Sequence, residues 1–120
     1  MHIVVTGAGS GIGKSIAITL AERGYSLILL GRNLENLEST KSLLNNSEQH
    51  QCHTCDIRNS EEIKKALENV SSLYALIANA GVGGENQYGD QDRWQEVVDT
   101  NLTGTYQTIQ ECIPLIKKDS

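Results

Sequence analysis

The sequence predicts an α/β domain: a parallel β-sheet with helices on both faces and its strands in the order 3-2-1-4. Three observations predict it. Apolar runs of strand length alternate with segments of helical period along the 120 residues, the pattern of repeated βαβ units. The runs themselves, such as Leu27-Ile28-Leu29-Leu30, lack polar interruption, as strands covered on both faces require. Right-handed crossovers between consecutive parallel strands then leave this strand order as the natural arrangement.

Taken in order, His2 to Thr6 reads as the first strand. A helix follows from about Gly11 to Arg23, with Ile12, Ile16, Ala17 and Leu20 on one face and Gly24 as its stop. Tyr25 to Leu30 is the second strand. Leu34, Leu37, Lys41 and Leu44 mark the next helix, Asn45-Asn46-Ser47 the loop after it, and Gln51 to Cys55 the third strand. Asn59 or Ser60 caps a helix to about Val70, with Glu61 and Glu62 in its first turn where they suit the dipole. Leu73 to Ala78 is the fourth strand. Gly81 to Asp92 is a polar, Gly-rich loop of the kind that carries function. A long helix then begins near Arg93, with Trp94, Val97, Val98, Asn101, Thr105, Ile109, Cys112 and Ile116 along one apolar stripe, and Pro114 kinks or ends it. No repeat or linker divides the chain, so residues 1–120 read as a single domain.

The composition excludes several functions. A net charge of -5 without a Lys/Arg cluster argues against a nucleic-acid partner. Met1 leads directly into Ile3-Val4-Val5 with no basic leader and no run of membrane-spanning length, which points to a soluble cytoplasmic protein without a membrane partner. Cys52-His53-Thr54-Cys55, with His50 nearby, spells a CxxC. Residues three apart on a strand face opposite ways, however, so the expectation is no metal site and reduced thiols.

The strongest chemical signal is Thr6-Gly7-Ala8-Gly9-Ser10-Gly11-Ile12-Gly13, which joins the first strand to the first helix. A diphosphate placed there meets backbone N–H groups and the positive end of a helix dipole, and glycines let the turn and the phosphates come close. The spacing is not G-x-G-x-x-G, because the third glycine would fall on Ile12 or Lys14. It is Thr-Gly-x-x-x-Gly-x-Gly.

That form resembles the short-chain dehydrogenase/reductase family, and the resemblance continues along the chain. Asp56 follows the third strand where the family has an adenine-contacting Asp. Asn79-Ala80-Gly81 is similar to the family's Asn-Asn-Ala-Gly, with Ala78 in place of the first Asn. Trp94 through Asn101-Leu102-Thr103-Gly104 resembles the long helix whose Asn belongs to the tetrad Asn, Ser, Tyr, Lys. The resemblance implies the nucleotide-binding half of a Rossmann-like fold, and hydride transfer between NADP(H) and a carbonyl or alcohol. It further implies cofactor contacts at Gly7, Gly9, Ser10, Gly11, Ile12, Gly13, Arg32, Asp56, Ile57, Asn79, Ala80 and Gly81, and a catalytic Asn101. Asp56 could alternatively be a turn residue, and Asn101 a satisfied core amide.

At Gly31-Arg32-Asn33 the acid that NAD-preferring relatives use for the ribose hydroxyls is absent. Arg32 offers a guanidinium fork to a 2'-phosphate, which favours NADP over NAD. The chain also departs from the family: none of Tyr25, Tyr74, Tyr88 and Tyr106 has a Lys four residues later, and Lys117-Lys118-Asp119-Ser120 ends it where the fifth strand and its Ser would follow. An inactive chain is the expectation, with a non-catalytic dinucleotide-binding remnant as the alternative. Ending there should expose the fourth strand's outer edge and part of the long helix, favouring a homo-oligomer. A second alternative is a P-loop hydrolase, from Gly13-Lys14-Ser15, although Ala8 stands where that loop needs its first Gly.

Overall fold

The computed structural model describes residues 1–81 and 93–116. The loop expected from Gly81 to Asp92 lies, beyond Gly81 itself, outside the described residues, as do Tyr88 and the end from Lys117 to Ser120. The elements are β1 (His2–Thr6), α1 (Gly11–Glu22), β2 (Ser26–Gly31), α2 (Leu34–Ser42), β3 (Gln51–Thr54), α3 (Ser60–Ala66), β4 (Ala75–Ile77), α4 (Trp94–Val98) and α5 (Thr105–Cys112).

The sheet is parallel throughout, four-stranded, in the order β3-β2-β1-β4. This is the Rossmann-like arrangement the sequence predicts. β1 sits in register with β2 from His2 opposite Ser26 to Thr6 opposite Leu30, and with β4 from Ile3 opposite Ala75 to Val5 opposite Ile77. Side chains alternate between two cores. Val4, Ile28 and Leu30 pack with Ile57, Ile63, Leu73 and Cys112 on the face covered by α3 and α5. Ile3, Val5, Leu27 and Leu29 pack with Ala17, Ala21 and Leu37 on the face covered by α1 and α2. Each central strand is therefore apolar at successive positions because both of its faces are buried.

Several expectations change in detail. Of the face expected on α1, Ala17 is buried and Leu20 packs partly against the core, but the buried stripe is Gly13, Ala17 and Ala21, and Ile12 is 72% exposed. Small residues at i, i+4, i+8 let the helix backbone settle close to the sheet, and the bulkier side chains flank that contact. On α2, Leu37 and Thr40 are buried, as is Leu44 just past its end, whereas Leu34 is exposed. α3 ends at Ala66, short of Val70, and β4 is three residues long.

The largest correction concerns the long helix. Between α4 and α5 the chain makes a π-helical turn, Asp99–Gly104. The wider turn shifts the helical phase, so the buried stripe becomes Thr100, Gly104, Thr108 and Cys112, and Asn101 is exposed. The large apolar residues Leu102, Tyr106, Ile109 and Ile113 form a separate exposed row. Pro114 acts as expected, ending the helix in a 3-10 turn, Ile113–Leu115. Just beyond it, Ile116 forms a parallel bridge to Leu73, whose N–H donates to Leu115 O at 2.7 Å. This bridge lies two residues before β4, on the side where the sequence predicts a bare outer edge.

His50, beside the CxxC, is committed to the backbone. Its Nδ1 accepts from Leu27 N–H at 3.0 Å and its Nε2 pairs with Asn45 O at 2.8 Å, which assigns a neutral ring protonated at Nε2. Cys52 packs against the α1/α2 core and Cys55 lies in the α3/α5 core, on the opposite face of the sheet. Among the described residues no helix is long and apolar enough to cross a membrane.

Candidate nucleotide-binding site

Parallel strands deliver all their C-terminal ends to one edge, and the crevice there opens between β1 and β4, where the strand order reverses. The loops leaving the four strands converge on a cleft of about 290 Å³. Its walls include Gly7, Gly9 and Ser10 after β1, Gly31 at the end of β2 and Arg32 after it, Cys55, Asp56 and Ile57 after β3, and Ala80 and Gly81 after β4, with Thr100 from the π turn. Of the residues singled out in the sequence, Gly11, Ile12, Gly13, Asn79 and Asn101 do not line this cleft.

The glycine loop is shaped by contact and by backbone conformation. Gly7 has φ +65°, and a Cβ on it would come within 2.9 Å of Ala80 Cα, so the loops after β1 and β4 touch through it. Gly11, at φ +55°, opens α1 and has nothing within 4 Å of where its Cβ would stand. Gly13 packs directly on the Gly7 carbonyl. The N-terminus of α1 is left free for an anion. Ser10 is its N-cap yet makes no side-chain cap bond, and no acidic residue stands in its first turn. By contrast, Asn33 and Asn59 cap α2 and α3 through their side chains, with Glu35, Glu61 and Glu62 in the first turns. The unpaired N–H groups and positive dipole end of α1 therefore face no protein carboxylate of its own first turn.

Buried hydroxyls hold the loops in place. Thr6 Oγ1 accepts from Asn79 N–H at 3.0 Å and Ala80 N–H at 2.9 Å, and Asn79 Nδ2 donates to the Thr6 and Gly7 carbonyls at 3.3 Å each. Asn79 in this structure stitches β1 to β4. Thr40, on α2, donates to Ala8 O at 2.9 Å and fixes the glycine loop from behind. Gln107, on α5, donates to the carbonyls of Ile57 and Arg58 at 3.4 and 3.0 Å and anchors the turn after β3.

Asp56 is gripped by Arg58: Nε donates to Oδ1 at 3.0 Å, a second guanidinium nitrogen reaches Oδ2 at 2.6 Å, and the Arg58 backbone N–H also binds Oδ1. These bonds, with a smaller contribution from Arg32, hold the Asp56 carboxyl below its ordinary value. Asp56 is thus a carboxylate at neutral pH, and its oxygens retain lone pairs for a further donor. Arg32 is exposed at the cleft rim and also helps lower the carboxyl of Glu96, after the larger effect of Arg93. Burial pushes the Cys55 thiol up to about 12, so it contributes an inert wall. Asn101 is near the cleft mouth without lining it: a Cβ on Gly81 would come within 2.9 Å of Asn101 Oδ1.

The sequence did not single out Thr40, Thr100, Arg58 or Gln107. A Thr on the buried stripe of a helix, as at Thr40 three residues after Leu37, was the one available signal, since its hydroxyl must find a partner.

Comparison with known proteins agrees with this geometry. A model for short chain dehydrogenases matches residues 1–120, and the chain belongs to that family. It is 37% identical over 123 residues to an uncharacterized oxidoreductase of Staphylococcus aureus strain MW2, covering 98% of this chain and 53% of the relative. A short-chain dehydrogenase/reductase structure from Brucella melitensis superposes with TM-score 0.88 at 25% identity, covering 99% of this chain and 53% of that one. An alcohol dehydrogenase from Thermococcus sibiricus, complexed with 5-hydroxy-NADP, has TM-score 0.82 at 29% identity over 95% of this chain and 52% of its own. An NAD+-bound xylitol dehydrogenase has TM-score 0.84 at 26% identity over 95% of this chain and 47% of its own. The chain spans about half the length of the curated relatives it matches.

Proposed function

We propose that residues 1–120 form the dinucleotide-binding unit of an NAD(P)-dependent oxidoreductase acting on a carbonyl or alcohol. The observation that carries this is the open N-terminus of α1, with left-handed Gly7 and Gly11 beside it, in a cleft whose far walls bring Arg32 and Asp56. Such a terminus accepts a diphosphate, Asp56 accepts the adenine amino group, and Ile57, Ala80 and Gly81 close around the adenosine. Gly9 and Ser10 line the phosphate end of the cleft, Ile12 belongs to the first turn of α1 whose backbone N–H groups meet the phosphates, Gly13 packs α1 against Gly7, and Asn79 holds β1 and β4 together behind the cleft. A bound nicotinamide dinucleotide supplies the hydride chemistry. Asn101, beside Gly81, is the residue this reading assigns to the reacting end. Family membership sets the P-loop alternative aside, and places Lys14 in the first turn of a dehydrogenase helix.

The bound form we favour is NADP. Arg32 at the rim adds a charged fork for a 2'-phosphate, and the ribose-binding acid is absent at Gly31. Arg32→Ala should weaken NADP+ binding by roughly ten- to a hundredfold, as expected for a charge-assisted hydrogen bond, with NAD+ little changed. Calorimetric titration of both cofactors checks this; tighter binding of NAD+ by the unaltered chain would contradict it. The single variant is preferable to adding Gly31→Asp, because a Cβ there lies 3.1 Å from the buried Leu37 side chain.

We further propose that the chain associates with itself through the exposed row Leu102, Tyr106, Ile109 and Ile113. A contiguous apolar helix face of this kind favours burial against a second copy. Light scattering should give a dimer or larger species that Tyr106→Glu dissociates; a monomer at micromolar concentration would contradict this.

A further inference from the structure

Among the described residues five polar side chains are buried: Thr6, Thr40, His50, Thr100 and Thr108. Four of them are paired within the protein. Thr6 and Thr40 bond the loops of the cleft, His50 bonds two backbone groups, and Thr108 donates to Gly104 O at 2.8 Å in the ordinary i to i−4 manner of a helical Thr. Thr100 Oγ1 is the exception. It stands on the same buried stripe as Thr108, is 6% exposed, and has no hydrogen-bond partner. Its residue lines the cleft, and it sits in the π turn, where the ladder that lets Thr108 bond its own helix is altered. A buried hydroxyl without a partner is costly to keep, whereas a valine of the same shape would carry no such cost.

We propose that Thr100 is a nucleotide-binding residue, its hydroxyl hydrogen-bonding the adenosine part of the dinucleotide in the cleft that Arg32 also lines. The assignment rests on the nucleotide reading of this cleft. Thr100 lines the same cleft as Asp56 and Ile57 after β3, the residues the nucleotide reading gives to the adenosine. Gly104, one turn further along the helix, brings this helix onto Ile57, since a Cβ there would come within 2.8 Å of Ile57 Cγ1. The π turn thereby has a use: it leaves unpaired, on a residue that lines the cleft, a hydroxyl that a regular helix would have satisfied internally.

The test compares Thr100→Val and Thr100→Ser in the full chain, titrated with NADP+ and with 2',5'-ADP, alongside thermal melts without nucleotide. Thr100→Val should weaken both ligands by about tenfold, the size of one net hydrogen bond, and Thr100→Ser should stay within about threefold of the unaltered chain. Without nucleotide, Thr100→Val should melt at the same temperature or higher, because nothing in the protein loses a partner. Unchanged affinity of Thr100→Val for 2',5'-ADP, or a lowered melting temperature without nucleotide, would overturn the assignment while leaving the nucleotide reading intact. Failure of the unaltered chain to bind either ligand would overturn both.

Discussion

Gly11→Val is expected to abolish dinucleotide binding, with a loss of at least about a hundredfold, while leaving the fold in place. Gly11 has φ +55°, a conformation that costs an L-residue about 1–2 kcal/mol, and more for a β-branched one. Its Cβ would meet no protein atom within 4 Å, so the core is not disturbed. The strain at φ +55° is instead expected to pull the turn that opens α1 out of shape, and with it the N–H groups a diphosphate would have to approach. Lys14→Ala, in the same turn, should change affinity no more than a few-fold, because a dehydrogenase loop binds phosphate through backbone. Circular dichroism establishes the fold and calorimetry the affinity. Retained NADP+ binding in Gly11→Val, or magnesium-dependent ATP binding that collapses in Lys14→Ala, would contradict the proposed use of this loop.

The second large effect is catalytic. Residues 1–120 are expected to consume no NADPH above background with any carbonyl compound, even where nucleotide binds. Hydride transfer to a carbonyl needs a positioned proton donor, and none of the four tyrosines is followed four residues later by a lysine that would tune it. Losing a general acid/base alone removes about 10²- to 10⁴-fold in rate, and losing the groups that orient substrate removes more. An NADPH absorbance assay against a carbonyl panel measures this. Turnover proportional to protein, and lost in Asn101→Ala, would contradict it.

Much of the architecture was legible because burial on both faces leaves a plain mark. The runs at Ile3-Val4-Val5 and Leu27 to Leu30 are apolar at consecutive positions, and only a covered sheet makes that pattern stable. Crossover handedness then ordered the strands. Helix faces were read less well. On α1 Ala17 was read correctly but bulk was otherwise mistaken for burial: Gly13 and Ala21 join Ala17 against the sheet because close approach requires small residues, and Ile12 is left outside. On the long helix a constant period was assumed, and the π turn Asp99–Gly104 broke it, moving the buried position from Asn101 to Thr100. No periodicity argument anticipates such a turn.

The candidate site divides in the same way. Its glycine loop, Arg32 and Asp56 were visible because each follows a strand end, and strand ends of a parallel sheet converge. The bonds that hold the site were not visible. Thr6 reaches Asn79 across 73 positions of sequence, Thr40 reaches Ala8 across 32, and Gln107 reaches Arg58 across 49. Those pairings are fixed by which strands become neighbours and by what each buried donor finds there, so they emerge only once the chain is folded.

The most direct measurement is calorimetric titration of residues 1–120 with NADP+, NAD+ and magnesium-ATP under one set of conditions. The expected result is saturable one-to-one binding of NADP+, tighter than NAD+, displaced by 2',5'-ADP and absent in Gly11→Val. No binding of either dinucleotide, or binding of magnesium-ATP alone, would contradict a dinucleotide site in this cleft.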